Sequence, residues 1–150
     1  MSDHKRKSHN VSLLLYHLVC PVKYRKKVFI EPIEESLKNI CWSIAQHYEI
    51  TFIEIGADED HVHFLLQSIP TLSPTKIART VKSITARELF DRHPEIRQLL
   101  WSGSFWTSGF YINTVGRSGN EEAIRTYVKN QGRVYKQLHR EEPEQQALFT

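Results

Sequence analysis

The run from Asn10 to Cys20, NVSLLLYHLVC, limits most what this chain can become. It is almost continuously apolar, which marks a strand buried on both faces rather than one with a wet side. A sheet built around it needs cover above and below. Pro21 ends the run and the basic stretch KYRKK follows. The chain must therefore supply further strands to pair with it and helices to cover it.

Those elements can be read in order. EPIEESLKNICWSIAQH, from Glu31 to His47, sets Ile33, Leu37, Ile40 and Ile44 at helical spacing, with Pro32 near its start. Glu49 to Ala57 alternates as a strand. The short ADED turn leads from it into HVHFLLQS, so the two are expected to form an antiparallel hairpin. Ser73-Pro74 opens a second helix with an apolar stripe of Ile77, Val81 and Ile84, running to about Phe90 before HPE breaks it. Phe110 to Val115 reads as a fourth strand, GRSGN as a flexible joint, and Glu121 to about His139 as a last helix. The order predicts an α+β fold, a ferredoxin-like split βαβ sandwich with an antiparallel sheet and an extra C-terminal helix. Helices one and two would cover one face, and the extra helix would cover the other. At 150 residues one domain is expected, with an ordered core over about 10–139 and a polar tail over 140–150.

The hairpin's second strand carries the chemistry. Side chains of a strand alternate between faces, so His61 and His63 share one face while Val62, Phe64 and Leu66 share the other. Two imidazoles so placed can converge on one metal ion. Alone, however, an H-x-H pair is a weak signal and reads first as a solvated strand face with stray histidines. His17, in the first strand, could face the same side and reads best as a hydrogen-bonded core histidine. Asp58 and Asp60 read as turn formers, with contact to a histidine ring as a secondary role. Tyr127 and Gln131 stand four apart in EEAIRTYVKNQG and so stack on one helical face. Alone, Tyr127 could be a core aromatic. A phenol with pKa near 10 is a poor nucleophile at neutral pH unless its electrophile is polarised. A divalent ion held by two neutral imidazoles and an amide oxygen would polarise a phosphodiester, and either Mg2+ or Mn2+ suits such a site.

Basic residues gather at Lys5, Arg6 and Lys7, at Lys23, Arg25, Lys26 and Lys27, and along the second helix at Lys76, Arg79, Lys82 and Arg87. A charged helix face is ordinarily a solvated face. KYRKK, with Tyr24 interleaved, is better placed to grip a phosphate backbone and stack on a base. The net charge of +3 is compatible with a polyanionic partner without requiring one. The tryptophans of LWSGSFWTSGFY are expected to plug the sheet edge rather than to stack on bases. No apolar run approaches the ~20 residues needed to span a bilayer. No apolar h-region follows the charged N-terminus, so it is not read as a secretory signal. Cys20 and Cys41 lack metal-type spacing and read as reduced thiols of a cytosolic protein.

Taken in order, HLVCPVKYRKKVF, GADEDHVHFLLQ, LWSGSFWTSGFYINTVG and YVKNQG resemble the single-tyrosine HUH transposases, the TnpA type of the insertion sequence 200/605 group, over nearly the whole chain. The resemblance implies that His61, His63 and Gln131 ligate the metal. It implies that Tyr127 attacks a DNA phosphate to give a 5′-phosphotyrosine link and a free 3′-hydroxyl, with no nucleotide cofactor. It implies single-stranded DNA with imperfect hairpins as substrate, and a homodimer in which one chain's tyrosine helix completes the other's histidine site. It also implies a cytoplasmic location in a bacterium or archaeon. Three alternatives remain open at this point. One is a domesticated relative processing chromosomal palindromic repeats. The others are a non-catalytic ferredoxin-like nucleic-acid-binding module and a metal-dependent nuclease that uses water.

Overall fold

The computed structural model describes residues 14–117 and 136–141. Five antiparallel strands form one sheet: β1 (Leu14–Pro21), β2 (Ile50–Asp58), β3 (His61–Ser68), β4 (Tyr111–Arg117) and β5 (Lys136–Arg140). Their spatial order is β4-β1-β3-β2-β5. The first four are arranged as the split βαβ reading requires. The apolar run occupies the inner position β1, paired to β3 on one side and β4 on the other. The ADED turn does close a hairpin, with Asp58 opposite His61 and Ala57 opposite Val62.

Among the described residues three α-helices accompany the sheet: α1 (Glu31–His47), α2 (Pro74–Arg92) and the short α3 (Pro94–Leu99). Ser73 caps α2 by accepting the Lys76 N–H at 3.1 Å, and Pro74 occupies its first turn, where a missing N–H costs nothing. Ile33, Leu37, Ile40 and Ile44 of α1 pack with Ile77, Val81 and Leu89 of α2 onto one sheet face. That face is made by Tyr16, Leu18, Cys20, Phe52, Ile55, Val62, Phe64 and Leu66. The two-helix cover is thus as expected. The stripe of α2 differs in one place: Thr85, not Ile84, is fully buried. Its hydroxyl donates to the Val81 carbonyl at 2.7 Å and accepts from Trp106 Nε1 at 3.0 Å, so the polar group is satisfied inside the core.

Two expectations need correction. The last helix was expected to reach about His139, yet Lys136–Arg140 is a strand. It pairs with β2 through Glu54 opposite Arg140 and Ala57 opposite Lys136. The β2 edge captures this segment and supplies hydrogen-bond partners that override its local helical preference. HPE does end α2, but Pro94 also begins α3, because proline is favoured in a first helical turn. Tyr127 and Gln131, the GRSGN joint beyond Arg117, the basic residues Lys5, Arg6 and Lys7, and nearly all of the 140–150 tail lie outside the described residues.

Candidate active site

The sheet face turned away from α1 and α2 carries His61 and His63 of β3. Their neighbours there include His17 of β1 and Glu54 of β2. Beside them Leu15, Ile53 and Leu65 form a small separate apolar cluster. Polar and apolar residues thus share this face, and His63, Glu54 and Gln67 are almost entirely buried in it.

His63 is placed by β3 at the register of Val19 and Gly56. Its Nδ1 lies 3.2 Å from His17 Nε2, so the core-histidine reading of His17 holds and its partner is a site residue. Burial pushes His63 down to about 3, with the neighbouring charges of His17 and His61 acting the same way. It pushes His17 down to about 4. Both rings are therefore neutral at physiological pH, which is the form that ligates a metal. If His63 Nδ1–H donates to His17, Nε2 is the nitrogen with a lone pair able to ligate a metal. That Nε2 lies 4.0 Å from Glu54 Oε1. Burial raises the Glu54 carboxyl to about 7, against a smaller opposing effect of the Arg140 charge.

His61 sits at the mouth of the same face, and its Nδ1 lies 2.8 Å from Asp60 Oδ1. A second contact reaches Asp60 from the basic loop: Arg25 donates to Oδ1 at 3.2 Å. The His61 hydrogen bond holds the Asp60 carboxyl below its ordinary range against the opposing effect of burial, and the Arg25 bond and charge add smaller effects in the same downward sense. An aspartate bonded to Nδ1 orients the ring so that Nε2 is presented. Among the described residues, Asp58, Asp60 and His61 place one ligand atom each within 4.8 Å of one another, so this end of the site could hold a cation. The donor set fits a divalent metal. It offers two imidazoles on one strand face, each with its Nδ1 engaged, and carboxylates at the entrance.

The basic residues divide. The Lys23–Arg25 turn follows β1 directly, and Tyr24 (φ 59°) and Arg25 (φ 51°) both adopt left-handed backbone. For non-glycine residues that conformation costs roughly 1–2 kcal/mol each. The turn is held to the 105–107 segment: Lys23 N–H donates to Phe105 O at 2.8 Å, and Thr107 N–H to Pro21 O at 2.9 Å. Tyr24, Arg25, Lys26 and Lys27 are exposed, as are Lys76 and Arg79 on α2. Lys82 is different. Its ammonium donates to the carbonyls of Thr107 at 2.9 Å and Gly109 at 3.0 Å and lies over the Phe110 ring, fastening the loop before β4. The two tryptophans also part company. Trp106 is buried and bridges to Val22, as an edge plug should, whereas Trp101 is 75% exposed.

A family profile described as "Transposase IS200 like" matches residues 10–131. The chain belongs to the IS200-like transposase family. Among this family's curated members, the ISDra2 transposase TnpA of Deinococcus radiodurans is 31% identical over 118 residues, spanning 79% of this chain and 84% of that protein. The transposase for insertion sequence element IS200 of Salmonella typhimurium is 26% identical over 131 residues, 87% of this chain and 85% of that one. A crystal structure assigned as a transposase from Deinococcus radiodurans R1 superposes with a TM-score of 0.67. It is 28% identical and covers 83% of this chain and 95% of its own. A REP-associated tyrosine transposase bound to a REP hairpin superposes at 0.55, covering 85% and 72%. At 8% identity it attests to the shared fold alone.

Within this IS200-like transposase, sequence reasoning passed over Glu54 and Gln67. The signal was present, since each is a polar residue flanked by apolar ones, Glu54 between Ile53 and Ile55 and Gln67 after Phe64-Leu65-Leu66, and both fall on the histidine face. Burying such groups is costly unless they are hydrogen-bonded or paired, so an inward polar residue in an apolar stretch marks a site that offers partners.

Proposed function

We propose that this IS200-like transposase cleaves and rejoins single-stranded DNA at hairpin-marked ends of a mobile element, with Tyr127 as nucleophile and His61, His63 and Gln131 as ligands of Mg2+ or Mn2+. The observation that carries the reading is the pair of imidazoles on one face of β3, each engaged at Nδ1, by Asp60 and by His17. A solvated strand face with stray histidines would not bury His63 completely or give it a buried histidine partner. A nucleic-acid module without chemistry has no need of either.

The bound metal would polarise the scissile phosphate and lower the barrier to attack by a neutral phenol. The chain's own groups do the rest. The Tyr127 oxygen forms a bond to phosphorus as the P–O3′ bond breaks. The phenolic proton is lost, and the departing 3′-oxygen takes one up. The products are a 5′-phosphotyrosine diester and a free 3′-hydroxyl. In strand transfer a 3′-hydroxyl attacks that diester and displaces the tyrosine. One diester is exchanged for another, so no nucleotide cofactor is required. Asp60 keeps His61 oriented, and His17 does the same for His63. Exposed Arg25, Lys26 and Lys27 and half-buried Lys23, with exposed Lys76 and Arg79 on α2, are cations available to the DNA backbone. Lys82 acts first on the 107–109 loop. The substrate sets the location, the cytoplasm of a bacterium or archaeon, and no helix among the described residues is long and apolar enough to cross a membrane.

Tyr127→Phe tests the proposal. It should leave hairpin-DNA binding nearly intact and abolish the covalent adduct, seen as loss of the slow-migrating labelled species on a denaturing gel. An adduct at wild-type yield would move the nucleophile to another residue, Tyr135 being the nearest tyrosine in sequence. Cleavage without any adduct in the parent protein would make the enzyme a hydrolytic nuclease.

A further inference from the structure

The exposed indole of Trp101 has no part in the core. It lies on the turn after α3, where Leu100 is completely buried and Gly103, at φ 86°, donates its N–H back to Leu100 O at 2.9 Å. Leu100 anchors the turn and Trp101 projects from it. The indole stacks on Tyr24, with ring centroids 4.9 Å apart and planes inclined by 18°. Tyr24 is itself 43% exposed. Lys23 Nζ lies 5.6 Å from the Tyr24 ring centroid. Since Tyr24 covers one face of the indole and Trp101 is still three-quarters exposed, the other face is open to solvent.

Two features separate this pair from an incidental surface contact. Tyr24 and Arg25 are held in left-handed backbone without glycine, a conformation that persists only where surrounding bonds impose it and that tends to mark functional sites. Cations also adjoin the pair in the chain, on both sides of Tyr24. Arg25, Lys26 and Lys27 are exposed beside it. The acidic contact of Lys27 with Glu59 at 3.7 Å is a surface pair that a phosphate can displace at little cost, and Arg25, which donates to Asp60 at 3.2 Å, has further guanidinium N–H groups for a phosphate. An open aromatic face inside a cluster of cations suits a nucleobase on a phosphate backbone.

We propose that the Trp101–Tyr24 stack is a base-stacking platform that holds one unpaired nucleobase of the DNA substrate, with Lys23, Arg25, Lys26 and Lys27 on the flanking phosphates. Arg25 also binds Asp60, which orients His61, so the platform stands one hydrogen-bonded relay from the metal end of the site. The inference rests on the DNA-processing function proposed above, and places one nucleotide of the substrate.

The test compares oligothymidylate with an abasic oligomer of the same length, which keeps the phosphates and lacks the bases. Trp101→Ala should weaken oligothymidylate binding about ten-fold and leave abasic binding and the salt dependence unchanged, while Trp101→Phe restores most of the affinity. Thermal midpoints should match the parent's, because the side chain is outside the core. In a Trp42→Phe background, which removes the other exposed indole, oligothymidylate should quench the emission and the abasic oligomer should not. Equal oligothymidylate affinity for parent and Trp101→Ala, or quenching that persists in Trp42→Phe/Trp101→Phe, overturns the platform. If the parent still forms its tyrosine adduct, that result leaves the proposed function standing. A parent that binds neither oligomer and forms no adduct overturns both.

Discussion

His63 is held neutral by burial, and acid should therefore act on the protein through it. A histidine pushed to about 3 when folded, against 6.5 when free, binds its proton in the unfolded chain first. His17, pushed to about 4, does the same. Their contribution is complete above 6.5 and is lost as pH falls toward the folded values. Glu54 works in the opposite sense. Raised from 4.5 to about 7, it binds its proton in the folded state first, so it adds stability as pH falls between those values. Between 4.5 and 6.5 the two histidines outweigh the one carboxyl by one proton. The metal-free protein should then lose about 1.4 kcal/mol per pH unit through these groups. His17→Gln retains a hydrogen-bonding amide and cannot titrate, so the slope of stability against pH should flatten by about that amount. Urea titrations of both proteins across this range measure it, and an unchanged slope would mean that His17 is not held neutral. His61→Ala and His63→Ala should each abolish cleavage, and Gln131→Ala should weaken metal binding. Calorimetric titration with Mn2+ reports this apart from activity, and cleavage undiminished in excess chelator would remove the metal from the reaction.

The elements that were legible in the sequence are those set by local pattern. Helix α1 spans Glu31–His47, the range its periodicity and Pro32 delimit, and the His61–His63 hairpin follows from the alternation either side of ADED. The alternation also placed both histidines opposite the helix-covered face. Strand β5 was not legible, because its cause lies far away in the chain. Lys136–Arg140 becomes strand by pairing with β2, Leu138 packs against the main core, and Lys136 bonds Glu34 of α1 at 2.7 Å. Nor could the left-handed turn at Tyr24 and Arg25 be read, since no glycine announces it. The tryptophans of one segment divide between plug and surface because Leu100 and Phe105, rather than Trp101, fill the core. Leu138→Asp tests β5. Placing a carboxylate against the core should cost about 1–3 kcal/mol and speed amide exchange in β2 from Glu54 to Ala57, where the two strands pair. If denaturation midpoint and exchange both stay as in the parent, β5 contributes nothing to the sheet.

For the whole molecule, sheet order decides where a second copy can pair. Sequence reading left a four-stranded sheet with free edges. In the five-stranded sheet β5 covers β2, so the described edges are β4 and β5. Strand β5, KQLHR, carries Lys136 and Arg140, and charged edges resist pairing. Strand β4 is uncharged from Tyr111 to Val115, which makes it the edge expected to join its two-fold mate. The sequence places the GRSGN joint at the end of β4 and Tyr127 about ten residues beyond Arg117, a length of chain that would let the tyrosine join a neighbouring His61–His63 pair. A dimer with composite sites is therefore predicted, and Thr114→Lys should dissociate it in analytical ultracentrifugation. Mixing decides whether sites are shared. Tyr127→Phe protein and a His61→Ala/His63→Ala protein should each be inactive alone. In a heterodimer the first chain supplies an intact histidine face and the second an intact tyrosine, so exchanged subunits should regain cleavage at one of the two sites. Heterodimers that form and stay inactive would assign the tyrosine to its own chain's histidines. A monomer at working concentration that still cleaves would remove the dimer from the mechanism.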